Sequence, residues 1–403
     1  MKILPDSMPR MRLSVALIVC DEEDVLADTL ASVQGIADQI VVLDTGSTDE
    51  TVAIARQHGA LVGQMPWSDD FAAARNECMK LANGNWLLWL DAGEQLDADT
   101  AAELREFIDR EADQQLVYTL MVEMPSVVSS ATAEQILQPR LMPAGAKLLF
   151  TGRVRESVRM SMDVAGLTIG AAPGRIVRHA RENLPARKTN KAQRDVRLAS
   201  IEAAELGRWT PRLFLVAGES YITLGASESA VEIFRQAIAA APADSTELLE
   251  AYYGLMTALD RDPGAGDELL ATCLEALHRF PFDAHLLLAM GHYLQLRQRP
   301  DMAIRAFEAV VRFGKVNGDI WHLKQWKSLA ATCLQRLRQP PECGEDVALL
   351  DGDRAETAPA SSQEYRFDHA APTGVESPLA NASPPHLDIT PANRAHAPLD
   401  LRK

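Results

Sequence analysis

The first half of the chain alternates short apolar runs with amphipathic segments. The apolar runs lie at 13–19, 40–43, 60–65, 86–90 and 116–124, and helical periodicity fills 23–33, 48–58, 70–82 and 99–110. Nearly continuous apolar strands that alternate with helices predict an α/β domain with a mostly parallel sheet covered on both faces. The stretch 138–176 is punctuated by glycine and proline, which predicts an irregular end to this domain.

Beyond Pro185 the pattern becomes helical throughout. From Phe214 to Pro242, large and small residues follow the spacing of one tetratricopeptide repeat, and 287–307 carries a second copy. The stretch between them, 248–281, has the length of a repeat. Three stacked helix pairs suffice for a continuous core, so an all-α, TPR-like helical-repeat domain is predicted.

These patterns divide the chain into three parts, with predicted bounds of 1–184, 185–338 and 339–403. The last part is rich in proline, alanine and acidic residues and poor in large aliphatic ones. Such a segment buries too little apolar area to offset a backbone entropy of roughly 1–2 kcal/mol per ordered residue, so a disordered tail is predicted.

Composition narrows the class of protein. Lys and Arg number 40 against 56 Asp and Glu, a net charge of −16, which argues against a general nucleic-acid binder. The five cysteines form no C-x-x-C pair, so neither a disulfide framework nor a zinc site is predicted, and a reducing cytoplasm fits best. The apolar run 13–19 is shorter than the apolar core of a signal peptide and is followed by acidic residues, so we expect a first strand there and neither a signal peptide nor a transmembrane segment.

The segment VVLDTGSTDET at 41–51 is the most informative part of the chain. Aliphatic residues precede Asp44, whereas turn formers and helix-capping residues follow it. Asp44 is therefore expected at the carboxyl end of a buried parallel strand. Ligands of open α/β sheets bind at that edge.

Four segments in order resemble family 2 glycosyltransferases, in the branch where such a domain precedes TPR-like helices. They are LIVCDEE at 17–23, where the family has Lys-Asn in place of Cys20-Asp21, the Asp44 turn, DDFAAARN at 69–76, and LDAGE at 90–94. The resemblance covers 14–179. It implies a GT-A-like sugar-nucleotide fold and transfer from a UDP-type donor to a protein, peptide or surface-polymer acceptor, with inversion.

The resemblance also implies site residues. Asp44 would bind the base and ribose of the donor, and Arg75 would face the diphosphate. One of Asp69 and Asp70 would cap the helix that carries Arg75, while the other would orient the arginine. The residues placed against the donor are Val19, Asp21, Glu22, Asp44, Gly46, Ser47, Asp70, Arg75, Asn76 and Asp91.

A divalent cation is the usual partner of the donor diphosphate in such a site. Asp91 is kept in this chain, but Gly93 stands where the family has its second aspartate. One carboxylate is a poor site for Mn²⁺ or Mg²⁺. The resemblance therefore implies a metal only if Glu94 or His179 completes the ligand set with Asp91.

An inverting transfer needs a base, and GRVRE at 152–156 matches the family's GxIHE except that Arg155 replaces the histidine. Glu156 is the predicted base. Arg155 would either lower the pKa of the neighbouring Glu156 or supply positive charge to the diphosphate. The departures at Gly93 and Arg155 keep a second hypothesis open, in which a degenerate transferase acts as a TPR interaction scaffold.

Overall fold

The computed structural model describes residues 12–124, 134–315 and 323–338. The predicted tail at 339–403 lies outside the described residues. One mixed sheet of eight strands, in the order β3-β2-β1-β4-β7-β6-β8-β5, forms the first domain. Its strands are β1 Leu13–Val19, β2 Gln39–Asp44, β3 Leu61–Gln64, β4 Trp86–Trp89, β5 Glu94–Leu96, β6 Leu116–Met124, β7 Glu134–Pro143 and β8 Thr168–Arg178.

Strands β3, β2, β1 and β4 pair in parallel, as the apolar pattern predicts. The side chains of β1, β2 and β4 face buried cores on both sides of the sheet, which is why these three strands are apolar at consecutive positions. Parallel register places Val19 beside Asp44. The carboxyl ends of β2, β1 and β4 therefore form one edge, where loops carry polar residues.

Five helices cover this sheet: α1 Leu26–Val33, α2 Thr51–Gln57, α3 Phe71–Leu81, α4 Ala98–Arg110 and α5 Arg159–Ala165. The prediction of an irregular segment at 138–176 is wrong, because it contains most of β7, all of α5 and most of β8. Strand β7 joins β4 in antiparallel orientation, and β8 lies parallel to β6. Charged residues inside β7 and β8 hide these strands from a search for apolar runs.

The second part is a stack of helices that begins at Pro185. Its members are α6 Pro185–Leu206, α7 Pro211–Thr223, α8 Ser227–Ala240, α9 Thr246–Leu259, α10 Gly266–Arg279, α11 Ala284–Leu296, α12 Pro300–Phe313 and α13 Leu323–Arg338. The pairs α7/α8 and α11/α12 are the two repeats visible in the sequence. The pair α9/α10 fills the weaker stretch between them.

In these repeats, glycines of one helix pack against a phenylalanine ring of a neighbouring helix. A Cβ placed on Gly218 would lie 2.6 Å from Cζ of Phe234, and one on Gly254 would lie closer still to the same ring. Phe234 is fully buried. The small positions of the repeat pattern thus let neighbouring helices close around one aromatic side chain.

The helices also join the sheet domain through a separate apolar cluster. Val154, in the loop between β7 and α5, is buried against Leu198 of α6 and against Leu213 and Val216 of α7. The same loop carries Glu156, two residues after Val154. The two domains therefore meet beside the predicted catalytic residue.

Candidate donor and catalytic site

Asp44 lies at the end of β2, as predicted, and is only 3% exposed to solvent. Its Oδ1 accepts a hydrogen bond from the backbone N–H of Ser47 at 3.0 Å. Within the described residues its Oδ2 has no donor. Gly46, in the turn, has φ +122° and open space where a Cβ would stand, so a ligand can approach the turn backbone closely.

The loop after β1 is tied to this turn. The backbone N–H of Asp21 donates to Oγ of Ser47 at 3.0 Å, and Oδ1 of Asp21 accepts from the backbone N–H of Thr48 at 2.7 Å. The carbonyl of Val19 accepts from Thr45. Glu22 pairs with Arg181. The predicted donor residues of both strands thus form one connected rim.

Helix α3 presents Arg75 at the same edge of the sheet, beside Asp91 after β4. Asp70 caps the helix, its Oδ1 accepting from the backbone N–H of Ala73 at 2.8 Å, so the predicted capping role is confirmed. The prediction that Asp69 orients Arg75 is wrong, because Asp69 forms an ion pair with Arg197 of α6 at 2.5 Å.

Arg75 instead bridges two acidic residues. Its Nε donates to Oε1 of Glu156 at 2.5 Å, and its Nη2 donates to Oδ1 of Asp91 at 3.1 Å. The guanidinium lies over the ring of Trp89, 4.4 Å from the centroid. Geometry, burial and charge therefore fix the direction of this arginine. Its Nη1 makes no hydrogen bond within the described residues.

Two more arginines, which the sequence reasoning left out of the site, surround Asp91. Arg140 of β7, whose side chain is 4% exposed, donates to Glu94 at 2.7 Å and to Asp91 at 3.4 Å. Arg178 of β8 also donates to Glu94 at 2.7 Å. The signal that marks both is an arginine in a strand with buried neighbours, where an unpaired charge would be costly.

Two opposing effects act on the Asp91 carboxylate. Desolvation acts to raise the pKa of Asp91, but the charges of Arg75, Arg140 and Arg178 outweigh it and hold that pKa below its ordinary value. Asp91 therefore stays ionised through the physiological range. It carries a negative charge that three guanidinium groups already compensate.

The residues predicted to hold a metal do not fit one. Oε1 of Glu94 accepts from Arg140 and Arg178, while its Oε2 accepts from the backbone N–H of Asp91 at 2.9 Å. Nδ1 of His179 accepts from the backbone N–H of Arg181 at 3.2 Å. Across the described ranges, no three His, Cys, Asp or Glu side chains are arranged as a metal site.

Gly93 itself lies in the left-handed region, with φ +87°. This backbone conformation suits glycine, and an aspartate there would be strained. A Cβ at position 93 would lie 3.6 Å from Cγ2 of Val25 and 3.7 Å from Cβ of His179. The backbone here therefore favours glycine over the aspartate that the resemblance implies at this position.

Two other predicted site residues have partners inside the chain. One expectation was that Arg155 acts on the neighbouring Glu156. Its guanidinium instead forms ion pairs with Glu219 of α7 at 2.7 Å and with Glu250 of α9 at 3.7 Å. Asn76 uses both groups of its amide on the backbone of Phe150, at 2.8 and 2.9 Å. Both contacts hold the segment that leads to Glu156.

Comparison with known proteins finds a family match in the sheet domain. Residues 14–161 match the family described as glycosyl transferase family 2. The matched residues run from β1 into α5 of the sheet domain.

The chain is 43% identical over 112 residues to a TPR repeat-containing protein of Synechococcus elongatus and 33% identical over 110 residues to an uncharacterized glycosyltransferase of Rickettsia felis. These matches cover 28% and 27% of this chain. They span 27% and 38% of the two relatives, well under two thirds of their length.

A similar solved structure is that of Staphylococcus aureus TarS 1–349 in complex with UDP-GlcNAc. It has 14% identity and a TM-score of 0.36 and covers 73% of this chain and 90% of that one. In the part of the chain that the structure describes, no helix is long and apolar enough to cross a membrane.

Proposed function

We propose that this chain transfers a sugar, with inversion, from a UDP-type nucleotide-sugar donor to a protein, peptide or surface-polymer acceptor. The observation that carries the proposal is the pairing of Arg75 with both Asp91 and Glu156, at the sheet edge where Asp44 ends its strand. This edge of the sheet thus brings a carboxylate for the nucleoside, a cation for the diphosphate and a candidate base into one site.

In this proposal Asp44 holds the nucleoside. Its Oδ2 accepts from a uracil N–H or a ribose hydroxyl, while Ser47 keeps the carboxylate in place through Oδ1. The buried strand fixes the direction of the side chain, so little reorganisation is needed when the donor binds. The open turn at Gly46 gives the nucleoside room beside the backbone.

Arg75 faces the diphosphate and Glu156 takes the proton. The Nη1 group of Arg75 is available to donate to phosphate oxygens, where it stabilises the charge that develops on the leaving UDP. Glu156 accepts the proton of the acceptor hydroxyl as that oxygen attacks the anomeric carbon. Because the metal ligand set does not fit, the chain's own cations are assigned this stabilising role.

The repeats supply the acceptor side of the proposal. Stacked helix pairs form an extended concave surface of the kind that holds peptides and polymers. The match to a TPR repeat-containing relative is consistent with this assignment. The repeats adjoin Glu156 through the Val154 cluster, so an acceptor held on them would lie near the base.

A second candidate function is favoured by one observation. The carboxylate of Asp91 is already ion-paired to arginines and Gly93 lacks a side chain, as expected for a degenerate transferase that acts as an interaction scaffold. Thermal unfolding with UDP separates the two. A ligand at 100 times its dissociation constant adds about 2.7 kcal/mol to stability, so a raised melting temperature supports the transferase, and no shift with any nucleotide supports the scaffold.

A further inference from the structure

The loop that carries Glu156 is held by the first two helices of the repeat region. Oε2 of Glu202, in α6, accepts from the backbone N–H of Arg153 at 2.8 Å. Arg212, in α7, donates to the backbone carbonyl of Val154 and also pairs with Glu202. The side chain of Glu202 is 11% exposed. A partly buried ion pair thus binds the loop main chain at two adjacent residues.

The same loop is held by packing. The guanidinium of Arg212 lies against Gly152, where a Cβ would come within 3.0 Å of Nη1. Val154 is 4% exposed among the side chains of α6 and α7. Arg155 has φ +51°, a left-handed backbone that is strained for a residue with a side chain. Its pairing with Glu219 helps to retain that conformation one residue before Glu156.

Helix α6 also holds α3, the helix that carries Arg75, the ion-pair partner of Glu156. Arg197 pairs with Asp69, and the guanidinium of Arg194 lies over the ring of Phe71, 4.8 Å from its centroid. Phe71 begins the helix that carries Arg75, and its backbone N–H donates to the carbonyl of Arg153 at 3.1 Å. Both members of the Arg75–Glu156 pair are therefore attached to the repeat region within a few residues.

We infer that Glu202 and Arg212 are positioning residues for transfer, and that the repeat region is a structural part of the catalytic site as well as an acceptor surface. This inference rests on the proposed role of Glu156 as the base. Within the described residues, no hydrogen bond or ion pair joins the Glu202–Arg212 pair to the residues assigned to the nucleoside at the ends of β1 and β2. Breaking the Glu202–Arg212 pair should therefore slow turnover without weakening UDP binding.

The test compares Arg212→Met and the conservative Arg212→Lys with the wild type in the full chain. Arg235→Met is the matched control, because Arg235 pairs with Glu268 within the repeats and away from the loop. Three quantities are measured: kcat for release of UDP from UDP-sugars, UDP affinity by calorimetry, and hydrogen exchange of the amides in 151–158. Protection there comes from the bonds between Thr151 and Ser157 and from Arg153 to Glu202.

For Arg212→Met we expect faster exchange across 151–158, a kcat lower by about 10-fold to 100-fold, the usual consequence of a misplaced catalytic group, and UDP affinity equal to wild type. Arg212→Lys should retain part of the protection and of the rate, and Arg235→Met should match wild type. Unchanged exchange in Arg212→Met would overturn the inference, as would faster exchange with an unchanged kcat. A wild type that turns over no donor would refute the proposed function, and the exchange comparison would still decide whether the helices hold the loop.

Discussion

Arg75 donates from Nε to Glu156 at 2.5 Å although 81 residues separate the two in sequence. Helix α3 supplies the arginine, whereas the loop between β7 and α5 supplies the carboxylate. Asp91, from the end of β4, accepts from the same guanidinium. One arginine therefore joins the proposed base to the carboxylate of Asp91, and the relative position of the two depends on three separate segments.

Asp44→Ala should weaken UDP binding by about 1.5–3 kcal/mol, the contribution of a hydrogen bond to a charged group. The strand end is buried and the turn backbone is held by other bonds, so the loss should be local. Calorimetric titration with UDP measures it. Asp28→Ala, at an exposed position of α1, is the control, and an Asp44→Ala affinity equal to that control would remove Asp44 from the donor site.

UDP binding by the wild type should be the same in EDTA and in excess Mn²⁺. Arg140 and Arg178 donate hydrogen bonds to the carboxylate of Glu94, and three guanidinium groups surround Asp91. A divalent ion would therefore meet positive charge and few available carboxylate oxygens. Titrations with UDP under both conditions check this expectation. A roughly tenfold loss of affinity in EDTA, about 1.4 kcal/mol, would mean that the site rearranges to bind a metal.

The repeat region should lose stability as the pH falls below 6.5. Burial lowers the pKa of His292 to about 4, so between these two values the unfolded chain takes up a proton that the folded chain does not. The contribution of neutral His292 to the free energy of unfolding is fully present above the pKa of the unfolded chain. It declines as the pH falls toward the pKa of the folded chain, by at most about 3 kcal/mol. Denaturant unfolding of the full chain at pH 7 and pH 4.5 measures the slope.

His292→Gln should flatten this pH dependence, whereas His278→Gln, at an exposed position of α10, should leave it unchanged. Equal slopes for wild type and His292→Gln would show that other groups carry the acid sensitivity.

Gly254→Ala should destabilise the repeats by about 1–3 kcal/mol, the usual cost of overpacking a core. The added methyl group would overlap the fully buried ring of Phe234. Gly35→Ala is the matched control, because nothing lies within 4 Å of its Cβ position. Thermal unfolding that leaves Gly254→Ala as stable as Gly35→Ala would show that the helices can move apart at no cost.

The parallel half of the sheet was predictable because its strands are apolar at consecutive positions. The boundaries of β1 and β6 agree with the predicted runs, and the end of β2 at Asp44 follows from the change to turn residues. The repeats were predictable from the spacing of glycines and phenylalanines. In both regions a local pattern of a few residues determines the element.

The site was less predictable because its contacts join distant segments. Sequence order placed Arg155 beside Glu156, yet the left-handed backbone at Arg155 directs the two side chains to different partners. Arg140 and Arg178 belong to strands that interrupt their apolar residues with charge, so neither the strands nor their roles were evident. Such features depend on tertiary pairing and leave no periodic signal.

The most direct test of the account compares Glu156→Gln with the wild type in release of UDP from a panel of UDP-hexoses and UDP-N-acetylhexosamines, with water and candidate peptides as acceptors. Glutamine keeps the shape of the side chain and removes the proton acceptor. The account predicts that the wild type consumes at least one donor and that Glu156→Gln does so about 10²-fold to 10⁴-fold more slowly, with UDP affinity retained. Consumption of the donor by Glu156→Gln at the wild-type rate would contradict it.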